Sequence, residues 1–172
     1  MASLKGRVAL ITGASRGIGR ALALGLANAG ADVAPSSRRQ EQVDATAAEI
    51  EAAGKMSLRV ASDVGDRKSL EELLKAAIAK FGKVDILINC AGTTKRAPTL
   101  DFSEEVWNQI IEVNLTGTLR GCQVFGKHML ERGRCRQGRS WRLLHGRSQM
   151  LDDAIVQPRW ERSLNRSVGS CA

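Results

Sequence analysis

Three glycines near the start of the chain have the spacing that brings a backbone close to a phosphate group. Residues 12–19 read Thr-Gly-Ala-Ser-Arg-Gly-Ile-Gly and follow the apolar run at residues 7–11 directly. An Ala- and Leu-rich stretch comes next, and a helix there would point its free N–H groups and its positive end at the phosphate. Glycines also serve plain turns, but a strand before and a helix after them favour a dinucleotide site.

Further polar residues follow other apolar runs. Residues 62–64 read Ser-Asp-Val, residues 89–92 read Asn-Cys-Ala-Gly, and residues 113–117 read Val-Asn-Leu-Thr-Gly. Taken singly, the Asp is a turn residue, the first Asn a strand-end cap and the second Asn a solvated helix position. Their order along the chain is what gives them weight as one site.

The elements that must position these residues alternate between strand and helix. Strands are predicted at residues 7–11, 32–34, 58–61 and 84–88, and helices at 21–29, 40–53, 70–81 and from Ser103, as N-cap, towards Leu130. The clearest helix ends at Gly82 and places its apolar residues on one face. Such alternation predicts a parallel sheet with helices on both faces.

The segments together resemble the short-chain dehydrogenase/reductase family, whose glycine turn has this G-x-x-x-G-x-G spacing. The resemblance covers about three quarters of the chain but only the first half of the family domain. It implies an α/β, Rossmann-type doubly wound parallel sheet, truncated here after the fourth strand and the following long helix. It also implies a nicotinamide dinucleotide and, in intact relatives, hydride transfer between that cofactor and a small alcohol or carbonyl. The run is most similar to 3-oxoacyl carrier-protein reductases and to gluconate or sugar-alcohol dehydrogenases.

The same resemblance assigns the site residues. Asn114 matches the asparagine of the family's proton relay. The residues expected to bind the cofactor are Gly13, Ser15, Arg16, Gly17, Ile18, Gly19, Ser37, Arg38, Asp63, Val64, Asn89, Ala91 and Gly92.

The family's serine, tyrosine and lysine have no counterpart. The chain contains no tyrosine and no lysine after Lys127, so the phenol that exchanges the proton and the lysine that lowers its pKa are both missing. His128 and His145 are the only histidines, and neither position favours a general acid. Cys90 replaces the second asparagine of the family's Asn-Asn-Ala-Gly and is expected to be a small buried residue.

Charge favours NADP(H) over NAD(H). An NAD site places an acid after the second strand for the ribose 2′-hydroxyl, whereas a 2′-phosphate needs cations. Residues 35–39 read Pro-Ser-Ser-Arg-Arg, with no acid, and Arg16 lies in the glycine turn. The alternative is that the two arginines merely begin a solvated helix. Pro35 is expected to disturb the end of the second strand.

The last forty residues differ in character from the first 132. Residues 133–172 hold eight arginines and three acids, and hence most of the net charge of +8. We therefore divide the chain into a dinucleotide-binding half-domain, 1–132, and a basic aperiodic tail, 133–172. Codons for residues 138–145 can be chosen that read Lys-Ile-Val-Ala-Ala-Thr-Ser in another frame, which suggests a frameshift. A disordered interaction tail and a nucleic-acid arm are the alternatives, and the absence of lysine disfavours the arm.

Two functions remain open at this point. One is an NADP-dependent oxidoreductase whose catalysis is lost, and the other is a non-catalytic dinucleotide- or partner-binding protein with a basic tail. No segment is apolar and long enough to span a bilayer, and the first residues lack the core of a signal peptide, so a cytoplasmic location is expected. Four unpaired cysteines and no metal-type spacing predict no metal site. The edge of the fourth strand is expected to stay unpaired unless the tail supplies a strand, with residues 154–156 the candidate.

Overall fold

The fold is a parallel sheet flanked by helices, seen in a computed structural model that describes residues 3–135 and 142–145, with side chains from 3 to 132. The strands are β1 Val8–Thr12, β2 Asp32–Ser36, β3 Ile86–Asn89 and β4 Arg142–His145. The helices are α1 Gly17–Asn28, α2 Gln40–Ala52, α3 Arg67–Phe81, α4 Glu104–Ile111 and α5 Gly117–Cys135. The order across the sheet is β2-β1-β3-β4, and every pairing is parallel. The predicted α/β class of Rossmann type is confirmed.

β1 is one of the two inner strands of the sheet, and its five residues are all buried. Successive side chains of a strand point to opposite faces, and β1 therefore contributes side chains to two hydrophobic cores. Leu10 packs with α3 and α5 on one face, while Ala9 and Ile11 pack with α1 on the other. Helices on both faces explain why the run is apolar throughout instead of alternating.

The predicted helices form with shifted ends. α1 begins at Gly17, directly after the glycine turn, and α3 begins at Arg67 because Asp66 caps it by accepting a bond from the Lys68 N–H. Ser103 is the N-cap of α4, as predicted, and accepts from the Val106 N–H. The expected long helix is in fact α4 and α5 joined by a π-helical turn, Glu112–Thr116. Among the described residues, no helix has the length and apolar composition needed to cross a membrane.

The predicted third strand at residues 58–61 does not form, and Pro35 removes one of the donors that its ladder would need. Val33 pairs with Ser57 and its N–H donates to the Met56 carbonyl at 3.0 Å, facing away from β1. Two residues on, Pro35 faces the same way but has no N–H to donate. The Ser62 N–H then donates to the Ser37 carbonyl at 3.0 Å, in the same register. The segment thus runs beside β2 with its ladder interrupted, while β2 itself continues through Ser36.

The tail does supply a strand to the edge of the fourth predicted strand, which was the stated condition for that edge to be paired. The fourth predicted strand is β3, and β4 pairs with it over four residues, from Ile86 opposite Arg142 to Asn89 opposite His145. The sheet therefore continues one strand past the point where the sequence predicted it to end. Part of the segment interpreted as aperiodic is regular strand. The alternative strand at residues 154–156 lies outside the described residues.

Candidate functional site

The glycine turn between β1 and α1 is fixed by backbone contacts that leave no room for side chains. A Cβ on Gly13 would lie 2.6 Å from the Ala91 Cα, and Gly13 has φ of 70°, in the left-handed region. A Cβ on Gly19 would lie 2.3 Å from the Gly13 carbonyl oxygen. Both positions therefore require glycine for packing within the protein itself.

Gly17 requires glycine for a different reason. Its φ is 54°, but a Cβ there would meet no atom within 4 Å. The backbone at the amino end of α1 therefore faces open space, with Arg16 and Ile18 exposed on either side. Arg16 precedes the helix without a side-chain capping bond, whereas Asp66 and Ser103 cap α3 and α4. The first N–H groups of α1 are left for a ligand, which is what an anion site at a helix terminus needs.

Hydrogen bonds from three sides hold this turn to the carboxyl edge of the sheet. The buried hydroxyl of Thr12 accepts the N–H groups of Cys90 at 3.2 Å and Ala91 at 3.3 Å, which ties the exit of β3 to β1. The Ala14 N–H donates to the Ser36 carbonyl at the end of β2, at 3.0 Å. The hydroxyl of Thr46 on α2 donates to the Ala14 carbonyl at 3.1 Å.

A second group of predicted residues gathers where β2 ends. Ser37 follows β2, Arg38 is exposed beside it, and the bond from the Ser62 N–H to the Ser37 carbonyl brings Asp63 to the same edge. Asp63 forms a turn, because its Oδ1 accepts the Gly65 N–H at 2.8 Å. Val64 is buried and packs against Gly117 at the start of α5. The structure thus places residues 37, 38 and 63 together, and Val64 behind them.

Asn114 lies in the π-helical turn, and its side chain forms two hydrogen bonds with the loop after β3. Its Oδ1 accepts the Thr93 N–H at 2.8 Å, and its Nδ2 donates to the Thr93 carbonyl at 2.9 Å. A Cβ on the neighbouring Gly92 would lie 3.5 Å from the same Oδ1. Both amide groups of Asn114 are therefore used to hold the loop against the helix.

Asn89 and Cys90 point in different directions. The buried Asn89 side chain turns towards α5, donating to Cys122 Sγ at 3.4 Å, and packs close to Gly121. Its side chain is therefore not brought to the glycine turn, and a contact of Asn89 with a cofactor stays a prediction. Cys90 packs against the core on the α1 side, and burial raises the pKa of its thiol. A reactive thiolate is not favoured there.

A family model described as short chain dehydrogenase matches residues 7–138, which include every residue of this site. The chain belongs to the short chain dehydrogenase family. D-threitol dehydrogenase of Mycolicibacterium smegmatis is 40% identical over 76% of this chain and 50% of its own length. Gluconate 5-dehydrogenase of Gluconobacter oxydans is 39% identical over 77% of this chain and 52% of its own length.

A solved structure agrees in fold. A short-chain type dehydrogenase/reductase from Mycobacterium marinum is 34% identical with a TM-score of 0.73, over 76% of this chain and 52% of that one. The chain therefore spans about half the length of the short chain dehydrogenases it matches. The matched half is the one that carries the glycine turn.

Of the two histidines, only His128 has a described side chain. His128 lies on α5, where burial lowers its pKa and Arg132 acts in the same direction, so it is neutral over a wider pH range. His145 falls in β4, where only the backbone is described. Residues 3–132 contain no cluster of three metal-ligating side chains.

Two contributors to the site were missed from the sequence. Thr46 and Gln40 both lie on α2, and each bonds backbone of another segment, at Ala14 and at Arg59. No sequence signal marks either residue, because a threonine or glutamine on a helix is ordinarily a solvated or locally bonded residue.

Proposed function

We propose that the chain binds NADP(H) across the glycine turn and the end of β2, and does not itself transfer hydride. The observation that carries the proposal is the amino end of α1. There, Gly17 at φ 54° faces open space beside uncapped N–H groups, while Gly13 and Gly19 are closed by protein atoms. An opening of backbone N–H groups at a helix terminus suits a pyrophosphate.

The residues present fit the cofactor. Residues 15–19 would hold the pyrophosphate through backbone N–H groups, and Asp63 and Val64 would lie at the adenine side, next to Ser37. When bound, the nicotinamide supplies a hydride acceptor or donor. The chain's own contribution is to orient the dinucleotide: Thr12 and Asn114 hold two points of the single loop that follows β3.

Charge around the end of β2 supports NADP(H) over NAD(H). Arg38 is exposed two residues after the strand, Arg16 is exposed in the glycine turn, and no acid follows β2 before Glu41. A guanidinium binds a phosphate through two parallel hydrogen bonds. A ribose with two free hydroxyls would gain nothing from these cations and would miss the usual carboxylate.

Turnover is not expected from these 172 residues. A proton must reach or leave the substrate oxygen as hydride moves, and the sequence holds no tyrosine to carry it. The Asn114 side chain bonds Thr93 through both its oxygen and its nitrogen, and a carboxamide does not act as a general acid near neutral pH. Loss of a general acid costs about two to four orders of magnitude in rate.

Titration of NADPH and NADH fluorescence with the full chain tests the proposal. We expect tighter binding of NADPH, and Arg38→Ser should weaken NADPH while leaving NADH unchanged. Lys80→Ser is the matched control, since Lys80 is an exposed cation in the last turn of α3. The same samples, given D-threitol or gluconate with NADP⁺, should show no change in nicotinamide absorbance.

Cofactor preference, cofactor binding and the absence of turnover are tested by separate results. Equal affinities for the two cofactors would remove the charge argument, and failure to bind either would refute the binding proposal. Turnover that survives purification would show that another group carries the proton.

A further inference from the structure

Thr46 on α2 has a buried hydroxyl with two acceptors and one proton. It is 1% exposed, and its Oγ1 lies 3.1 Å from the Ala14 carbonyl and 3.1 Å from the Gln42 carbonyl one turn back along its own helix. A helical threonine ordinarily bonds the carbonyl four residues back. Thr118 on α5 shows that pattern alone, bonding Asn114 at 2.9 Å. Thr46 differs because it also reaches another element.

The carbonyl that Thr46 reaches has no other donor among the described residues. Ala14 is 1% exposed, and its N–H is already used by the Ser36 carbonyl at 3.0 Å. A buried carbonyl without a donor is costly, so the hydroxyl proton is drawn towards Ala14. The Gln42 carbonyl lies within α2, where the N–H four residues on can share it.

Ala14 is the peptide on which the orientation of the phosphate-facing turn depends. Gly13, on its amino side, is fixed against Ala91, and the open backbone of residues 15–17 follows on its carboxyl side. The Ala14 carbonyl belongs to the same peptide plane as the Ser15 N–H, so holding one group sets the direction of the other. The contact with α2 therefore fixes a donor of the turn.

We propose that Thr46 is a positioning residue for the dinucleotide pyrophosphate, acting through the Ala14–Ser15 peptide. This inference rests on the proposed function, because it assigns the turn its ligand. It predicts that the hydroxyl of a helix outside the glycine motif determines affinity for the phosphate bridge. The affinity for the adenosine end of the cofactor, bound beside Ser37 and Asp63, should not depend on the Thr46 hydroxyl.

The test compares Thr46→Val, which keeps the shape and removes the proton, with Thr46→Ser, which keeps the hydroxyl. Ser57→Ala is the matched control, since Ser57 is also buried and donates to a buried β2 carbonyl, that of Val33 at 3.0 Å, away from the turn. Dissociation constants are measured for NADP⁺ and for adenosine 2′-monophosphate, which lacks the pyrophosphate. Amide exchange of residues 14–17 is measured without ligand.

Thr46→Val should raise the dissociation constant for NADP⁺ about five- to tenfold, the size expected for one hydrogen bond, and leave adenosine 2′-monophosphate unchanged. Thr46→Ser should restore binding, and Ser57→Ala should affect neither ligand. Unchanged NADP⁺ affinity in Thr46→Val, or equal weakening of both ligands, would overturn the inference.

If the wild-type chain bound neither ligand, the proposed function would fail, and amide exchange would decide the positioning role alone. Faster exchange confined to residues 14–17 in Thr46→Val would support it. Unchanged exchange there would refute it.

Discussion

The two flanks of the central strands are covered in different ways. Beyond β3, strand β4 pairs in register over four residues. Beyond β2, residues 57–62 run alongside with a single bridge, at Val33 and Ser57, and side chains supply much of the remaining contact. The β3 flank is held by a continuous backbone ladder, and the β2 flank by an interrupted ladder together with side-chain hydrogen bonds.

Gln40 is the principal clamp on the β2 flank. Its Nε2 donates to the Arg59 carbonyl at 3.1 Å, and its Oε1 accepts the Ala61 N–H at 3.0 Å. A single amide side chain thereby bonds the outward-facing groups of the segment as a neighbouring strand would. The comparison teaches that side-chain hydrogen bonds can hold a segment beside a strand where a proline interrupts the backbone ladder. The flank near the adenosine end of the proposed site then depends on exposed contacts.

Breaking the β4 ladder should have the largest effect. In the double variant Leu143→Pro/Leu144→Pro, one of two adjacent N–H groups must face β3, because N–H directions alternate along a strand. Losing that donor leaves a β3 carbonyl unpaired, and we expect about 1–3 kcal/mol lower free energy of unfolding, measured by urea titration. An exposed strand edge should also promote association, seen by sedimentation.

The control for that experiment is Leu143→Val/Leu144→Val, which keeps both N–H groups. It should lie close to the wild-type chain in stability and in sedimentation. If the proline variant matched it, the β3 flank would not depend on the ladder.

Removing the clamp should have an intermediate effect. Gln40→Leu deletes both bonds to residues 59 and 61, and we expect a loss of about 1 kcal/mol together with faster amide exchange at Ala61. Gln42→Leu is the control, since Gln42 lies on the same helix and its side chain makes no hydrogen bond within residues 3–132. Exchange at Ala61 that is equal in both variants would mean that the clamp is incidental.

Restoring the missing donor should have the smallest effect on stability. Pro35→Ala supplies an N–H facing residue 58, and the gain of about 0.5–1.5 kcal/mol from a hydrogen bond is offset by about 0.4–1 kcal/mol from a more flexible unfolded chain. The informative measurement is amide exchange at residue 35, which should be slow if the ladder closes. Pro98→Ala reports the unfolded-chain effect alone, because Pro98 lies in a loop before a short 3₁₀ turn.

Most of the fold follows from local sequence patterns. Fully apolar runs predicted β1 and the core of β3, and the caps at Ser103 and Gly82 predicted where helices begin or end. The segments that flank β2 and β3 on the outside could not be predicted from local patterns, for physical reasons. The segment at 58–61 has a strand-like composition, but its pairing depends on a donor that its neighbour lacks at position 35. The β4 residues carry no period that distinguishes a strand from their surroundings.

The site was predictable where backbone conformation dictates residue type. Gly13, Gly17 and Gly19 were found from spacing alone, and the structure gives each a reason to be glycine. Thr46 and Gln40 on α2 were not found, since hydrogen bonds between distant segments leave no periodic pattern in the sequence. NADP(H) preference and the role of Asn89 stay predictions.

The close fit of Gly13 against residue 91 has a consequence for sequence divergence. The nearest atoms that a Cβ at Gly13 would meet are the Cα and N of Ala91 and the carbonyl carbon of Cys90, which all amino acids possess. No replacement at 90 or 91 can therefore relieve the demand at 13 by shortening a side chain. A mutational library that varied positions 90 and 91 freely should thus recover glycine at 13 in every folded clone.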